Sequence, residues 1–285
     1  MNDSQINDEQ SLLLEIYSRM RERFDPLDWW PGETPFEVCI GAILTQNTAW
    51  TNVAKAIDNL RNAGALSVTG ISEIKEPELA RLIRPSGYFN QKAKRLKTFV
   101  GWLNDQYDGD IREMSKTRLP QLRAKLLSLT GIGPETADCI LLYAANKVTF
   151  VVDAYTRRIF SRHGFIEEGA AYDEIKKFFE GRLPRRLALF NDYHAQIVET
   201  GKHYCLKKEP ECEGCPLEFL WKTNEERRQR QKELPTNSRK QRIKKEGGLP
   251  ENRGKAPPLN HLTLIVSEEP SPESPSVHRC LFGRL

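Results

Sequence analysis

Apolar residues recur at helical spacing through most of this chain and at strand spacing almost nowhere, which confines it to an all-α fold. Leu12, Leu13, Ile16, Tyr17, Met20 and Phe24 predict a first helix. Phe36, Val38, Ile40, Ile43 and Leu44 predict a second, apolar on several sides and so expected to be buried. Val53, Ala54, Ile57 and Leu60 predict a third, closed near Gly64, and Ala93, Leu96, Phe99, Val100 and Leu103 a fourth. Leu122, Leu126 and Leu127 lead into a glycine turn, and further helices are expected over 154–163, 171–181 and 187–202. Val148 to Val152 is the one strand-like stretch, and without a partner strand it reads as a buried connector.

Beyond Trp221 the character changes. From Lys222 to Lys255 there are 12 Lys and Arg against 5 Asp and Glu, whereas the whole chain carries only +4. The basic excess therefore sits in one segment, and the rest is slightly acidic. Residues 225–285 read as a basic and then Pro-rich disordered tail, too polar to offset the entropy of ordering. No apolar run approaches the ~20 residues a bilayer span needs. The polar start from Met1 to Gln10 is read as neither a signal nor a transit peptide. A cytoplasmic (nucleoid) location and reduced cysteines are the corresponding expectations.

The sharpest local motif is Leu129-Thr130-Gly131-Ile132-Gly133-Pro134, between two helical stretches. Two glycines allow a tight turn with close approach of a ligand to the backbone. Pro134 suits the first position of a helix, whose free N–H groups and positive dipole end favour a phosphate. Gly131-Ile132-Gly133, then Thr136 and Ala137, then Val151-Val152-Asp153 together resemble the endonuclease III superfamily of helix-hairpin-helix DNA glycosylases. Cys205, Cys212 and Cys215 lie where that family has its cluster loop, and the resemblance covers roughly Leu12 to Trp221.

The resemblance implies two helical domains around a DNA cleft, 34–148 with the hairpin and 1–33 plus 149–224 with the cysteine loop. It implies a monomer acting on double-stranded DNA with a damaged base, and no membrane role. Gly131, Ile132 and Gly133 would hold the backbone, with Gln46 and Asn47 entering the duplex as the base is extruded. Leu82 or Ser86-Gly87-Tyr88 would supply the opposite wedge.

Asp153 taken alone reads as a helix N-cap. It lies 20 positions after Gly133, as the family's catalytic aspartate does, so the resemblance makes it the catalytic carboxylate. Breaking an N-glycosidic bond builds positive charge on the sugar, which a carboxylate beside C1′ stabilises. Bifunctional relatives carry a lysine two residues after the second glycine, where this chain has Glu135. Glutamate cannot form the Schiff base of strand cleavage, so a monofunctional glycosylase is expected.

Trp29-Trp30-Pro31, Leu44 to Thr48 with Trp50, Ser86 to Lys94, and Glu135 to Asp138 look like the 3-methyladenine branch. There Trp30 and Trp50 would be the plates of a base pocket, with Glu135 and Lys202 beside it. A cationic alkylated purine stacks well on indole faces and leaves without a general acid. The adenine-mispair branch fits less well, since Ala42 stands at the position of its acidic helper. A glycosylase for mismatched, oxidised or deaminated bases and a non-catalytic DNA-binding relative stay open.

Family [4Fe–4S] clusters use four thiolates, and the fourth would fall at position 221, which is Trp221. The sequence leaves three options: a three-cysteine cluster with an outside ligand, a zinc site using His203, or a metal-free loop. Cys39 and Cys139 lie on apolar faces and are expected in the core.

Overall fold

Thr34 starts a helix that is buried from Glu37 to Leu44. Its hydroxyl accepts the amide of Glu37 at 3.2 Å, and Pro35 takes the first helical position. The computed structural model to which these contacts belong describes residues 3–27 and 32–221, with side chains from residue 7 onward. The basic and Pro-rich tail, Cys280, Trp29 and Trp30 lie outside the described residues.

Twelve α-helices run in chain order among the described residues: α1 (Asp3–Phe24), α2 (Pro35–Leu44), α3 (Trp50–Asn62), α4 (Val68–Glu73), α5 (Glu76–Leu82), α6 (Phe89–Tyr107), α7 (Ile111–Lys116), α8 (Leu119–Leu127), α9 (Pro134–Cys139), α10 (Ala154–Arg162), α11 (Tyr172–Glu180) and α12 (Leu187–His203). A 3₁₀ turn spans Arg84–Ser86, and a π-helical turn over Ile140–Ala144 continues α9. No strand occurs among the described residues, and 148–153 is an extended connector with Phe150, Val151 and Val152 buried. The all-α expectation holds, and the helices inferred from spacing begin and end within a few residues of their expected limits. The short helices α4, α5 and α7 were not anticipated. They rest on caps rather than long apolar periods: Ser67 receives the Gly70 amide at 2.9 Å, Asp110 the Arg112 amide at 2.7 Å, and Pro77 enters α5.

The helices pack in two groups. α12 packs against both α1 and α10, while α2 to α9 pack mostly among themselves. The π-helical turn touches both α2 and α12 and so joins the groups. Under the connector, Phe150 stacks on Phe179 at 4.2 Å and meets Phe190 and Tyr193 edge-on at 5.4 and 6.0 Å. These rings are fully buried, each contributing about 2 kcal/mol by removal from water.

A buried ionic cluster pins the same connector from its other side. Asp138 of α9 meets Lys176 at 2.6 Å and Arg123 at 3.1 Å, and accepts the Thr149 hydroxyl at 3.1 Å. Glu180 accepts the Phe150 amide at 2.8 Å. The helix that follows the glycine turn is thereby tied to the segment that delivers Asp153.

Candidate functional site

Helix α8 ends at Ser128, and the chain reverses through Leu129 to Gly133. The Ile132 amide closes the turn on the Leu129 carbonyl at 3.0 Å, and the Ile132 side chain is buried. Gly131 has φ +88°, a conformation that L side chains rarely adopt. Gly133 caps α9, and a side chain there would meet no atom within 4 Å, so this glycine leaves the helix start open to solvent. The local geometry is that of a helix-hairpin-helix: a left-handed glycine, an apolar anchor and a proline-led helix whose first amides face outward.

Gln46 sits directly on this turn. Its Nε2 donates to the Gly131 carbonyl at 3.0 Å and to the Thr136 hydroxyl at 2.9 Å, and its Oε1 accepts from the Arg95 guanidinium. The side chain expected to fill a DNA gap is thus docked on the hairpin. Neighbouring Asn47 is exposed, with φ +53°, a conformation asparagine tolerates. Tyr88, at the expected wedge, is 60% exposed with φ +44°. Behind both segments lies Lys92, which is buried and donates to the Leu44 carbonyl at 2.9 Å and the Ser86 carbonyl at 2.6 Å. Burial pulls its amine down to about 8, with the Arg95 charge adding.

Asp153 is the N-cap of α10. Its Oδ1 accepts the Thr156 amide at 2.7 Å and the Thr156 hydroxyl at 2.8 Å. The cap expected of this residue is present and uses only one oxygen. Oδ2 faces His194 Nε2 at 3.6 Å, beyond hydrogen-bond reach. The carboxylate is 8% exposed. Burial alone would raise its pKa, but the His194 imidazole and the Thr156 donors outweigh that and hold it below the usual carboxylate value.

His194 lies on α12 and is 4% exposed, with Nδ1 at 2.5 Å from the Tyr143 hydroxyl. Sequence reasoning missed both residues. The available signal was a histidine flanked by Tyr193, Ala195, Ile197 and Val198 in a helix apolar on most sides.

Glu135 occupies the first turn of α9, where its side chain is exposed at the surface. Desolvation by its neighbours and the Asp153 charge push its carboxyl up to about 7, while His194 and Arg157 pull the other way. Trp50 is half-buried at the start of α3 and packs on the core. Lys202 is exposed in the last turn of α12 and pairs with Glu199 at 2.7 Å. It lies eight residues beyond His194, about 12 Å along the helix. The structure gathers Gln46, the hairpin, Glu135 and Asp153 with His194, and sets Lys202 farther off.

The cysteine loop is held by arginines of α10. Arg158 donates to the Cys205 carbonyl at 2.7 Å and the Gly201 carbonyl at 3.0 Å. Arg162 reaches the Cys205 sulfur at 3.2 Å and the Leu206 and Lys207 carbonyls. Burial pushes the Cys215 thiol up to about 11, with Cys212 and Cys205 adding. Trp221 is 48% exposed, and indole offers iron no lone pair. His203 leans on Glu199 at 3.2 Å, and among the described residues no three His, Cys, Asp or Glu side chains are grouped as metal ligands. These residues do not fit a four-thiolate cluster. Cys39 and Cys139 are buried in the core, as expected. No helix among the described residues is long and apolar enough to cross a membrane.

Comparison with known proteins places this geometry. A family model described as "HhH-GPD superfamily base excision DNA repair protein" matches residues 40–185. A provisionally named DNA repair glycosylase of Methanocaldococcus jannaschii is 49% identical over 208 residues, covering 72% of this chain and 94% of that protein. The endonuclease III of Thermotoga maritima is 30% identical over 183 residues, covering 64% and 80%. Among solved structures, the 3-methyladenine DNA glycosylase of H. pylori bound to 1,N6-ethenoadenine is 33% identical with a TM-score of 0.59, covering 68% of this chain and 96% of that one.

Proposed function

Because the chain belongs to the HhH-GPD superfamily of base excision DNA repair proteins and is a DNA glycosylase, we propose that it is a monofunctional one acting on alkylated purines. The single observation that carries this reading is the pair of acids beside the hairpin. Asp153 is a buried, ionised carboxylate with one oxygen free, and the position two residues after Gly133 holds Glu135 rather than an amine.

The chemistry follows from that pair. The hairpin amides hold a phosphate, and the extruded nucleotide presents C1′ to Asp153 Oδ2. As the C1′–N bond breaks toward the base, positive charge grows on the sugar and the carboxylate stabilises it. A water oxygen bonds to C1′, and its proton passes to Asp153 and on to solvent. An N-alkylated purine enters as a cation and leaves neutral, taking the bond electrons, so no acid need protonate it. Likeness to a 3-methyladenine glycosylase supports this substrate class. Trp50 and Trp30 are assigned to the base pocket, Glu135 to its rim, and Gln46 to the gap the base leaves. The three-cysteine loop supplies no step.

Base release from methylated duplex DNA tests the proposal, wild type against Asp153→Asn, beside uracil, oxidised-base and mispair duplexes. Release of methylpurines that disappears in the variant supports it. Release confined to another duplex overturns the substrate class. Asp153-dependent borohydride trapping on abasic DNA overturns the monofunctional assignment.

A further inference from the structure

The pair behind Asp153, a buried histidine and a half-buried tyrosine, has no part in the scheme above. The Tyr143 hydroxyl lies 2.5 Å from His194 Nδ1. His194 Nε2 is shielded from solvent, makes no hydrogen bond, and points at Asp153 Oδ2 from 3.6 Å. Oδ1 is occupied twice by Thr156, so the oxygen that faces His194 is the one left for the reaction.

We propose that Tyr143 and His194 form a positioning dyad that fixes a proton on Nε2 and aims it at the reacting oxygen of Asp153.

The inference rests on Asp153 being the reacting carboxylate. Its physical basis is tautomer control. Burial holds the Tyr143 hydroxyl well above its ordinary pKa, so it stays protonated and can donate to Nδ1 from 2.5 Å. With Nδ1 as the acceptor, the imidazole proton sits on Nε2. A neutral N–H donor orients and stabilises a carboxylate without cancelling the charge that the sugar cation needs. A lysine at the same place would cancel it. The cap bonds leave Oδ2 free to swing about one oxygen, and the imidazole limits that swing. A closure of well under 1 Å brings the pair within hydrogen-bond range. Other ionisable groups face this spot from each neighbouring element: Glu135 and Cys139 from α9, Tyr143 from the π-helical turn, and Asp153 from the start of α10.

The dyad predicts one fixed tautomer. In the full-length protein, ¹⁵N imidazole shifts report which ring nitrogen carries the proton, the His194 signals being assigned by their loss in His194→Gln. The wild type is expected to show the proton on Nε2 and none on Nδ1. Tyr143→Phe removes the donor to Nδ1 and is expected to bring in the other tautomer. A wild-type His194 with its proton on Nδ1, or a tautomer unchanged in Tyr143→Phe, overturns the proposal. This arm needs no substrate, so it stands apart from the glycosylase reading. The kinetic arm uses single turnover on methylated DNA. His194→Leu slows base release about tenfold or more while affinity for abasic-site DNA is unchanged, and His194→Gln, which keeps a donor near the Nε2 position, recovers most of the rate. Equal losses in the Leu and Gln variants, each folded by circular dichroism, count against a directed donor. Wild-type protein that releases no base from any duplex defeats the functional reading and leaves the tautomer measurement to decide the dyad.

Discussion

Asp138 and Asp153 are both buried acids, fifteen residues apart, and their surroundings treat the charge in opposite ways. Asp138 is enclosed by two cations, Lys176 at 2.6 Å and Arg123 at 3.1 Å, with the Thr149 hydroxyl as a third partner. Its charge is spent on holding α8, α9, α11 and the connector together. Asp153 has no cation in contact. Its partners are a backbone amide, a hydroxyl and an imidazole, and one oxygen stays open. A burial penalty offset by two close counter-ions makes a clamp, whereas one offset by donors to a single oxygen leaves the other oxygen open to a substrate. The two are connected through the chain, because the clamp fixes the connector that leads to the second acid.

The largest expected contrast comes from neutralising each acid. Asp153→Asn should slow base release about 10²–10⁴-fold while barely changing the melting temperature, since asparagine caps helices as well as aspartate. Single-turnover kinetics beside thermal melts checks both halves, and a large melting shift would erase the contrast. Asp138→Ala should do the reverse, destabilising the fold by about 3–5 kcal/mol by removing the anion that Lys176 and Arg123 share. Denaturant unfolding reads that cost, and a loss under about 1 kcal/mol would mean that Asp138 is no clamp.

A smaller effect separates the two glycines of the hairpin. Gly131→Ala should cost about 1–2 kcal/mol, because φ is +88° and the new Cβ would lie 2.5 Å from the Arg95 side chain. Gly133→Ala meets no atom within 4 Å and should leave stability nearly unchanged, yet weaken DNA binding if a phosphate approaches there. Equal melting points with equal DNA affinity for Gly133→Ala and wild type would place the phosphate elsewhere.

The smallest effect concerns Glu135. Its carboxyl is raised to about 7 in the fold and is ordinary when unfolded, so between about 4.5 and 7 the folded state holds the extra proton. Stability from this group is present at the acid end of that window and falls as pH rises through it. Glu135→Gln removes the dependence, so the variant should gain on wild type above pH 7 and not at pH 4.5. Melting curves at the two pH values decide, and an unchanged difference would mean that Glu135 does not feel Asp153.

Much of the helical framework and the outline of the site could be read from the chain alone, for local reasons. Apolar spacing selects helices, glycine permits a left-handed turn, Pro134 opens a helix, and Asp153 suits a cap; each depends on a few neighbouring residues. The missing lysine at 135 and the missing thiolate at 221 were equally legible, because each is a matter of what one side chain can bond. His194 and Tyr143 were not. They lie 51 residues apart on different elements, and neither carries a local signature of its partner. The docking of Gln46 on Gly131, the pairing of Lys202 with Glu199 and the choice of Asp138 over Asp153 as the clamp were likewise decided only by packing. Local stereochemistry is written in short stretches of sequence, but which charges end up sharing a low-dielectric neighbourhood depends on how distant helices come together.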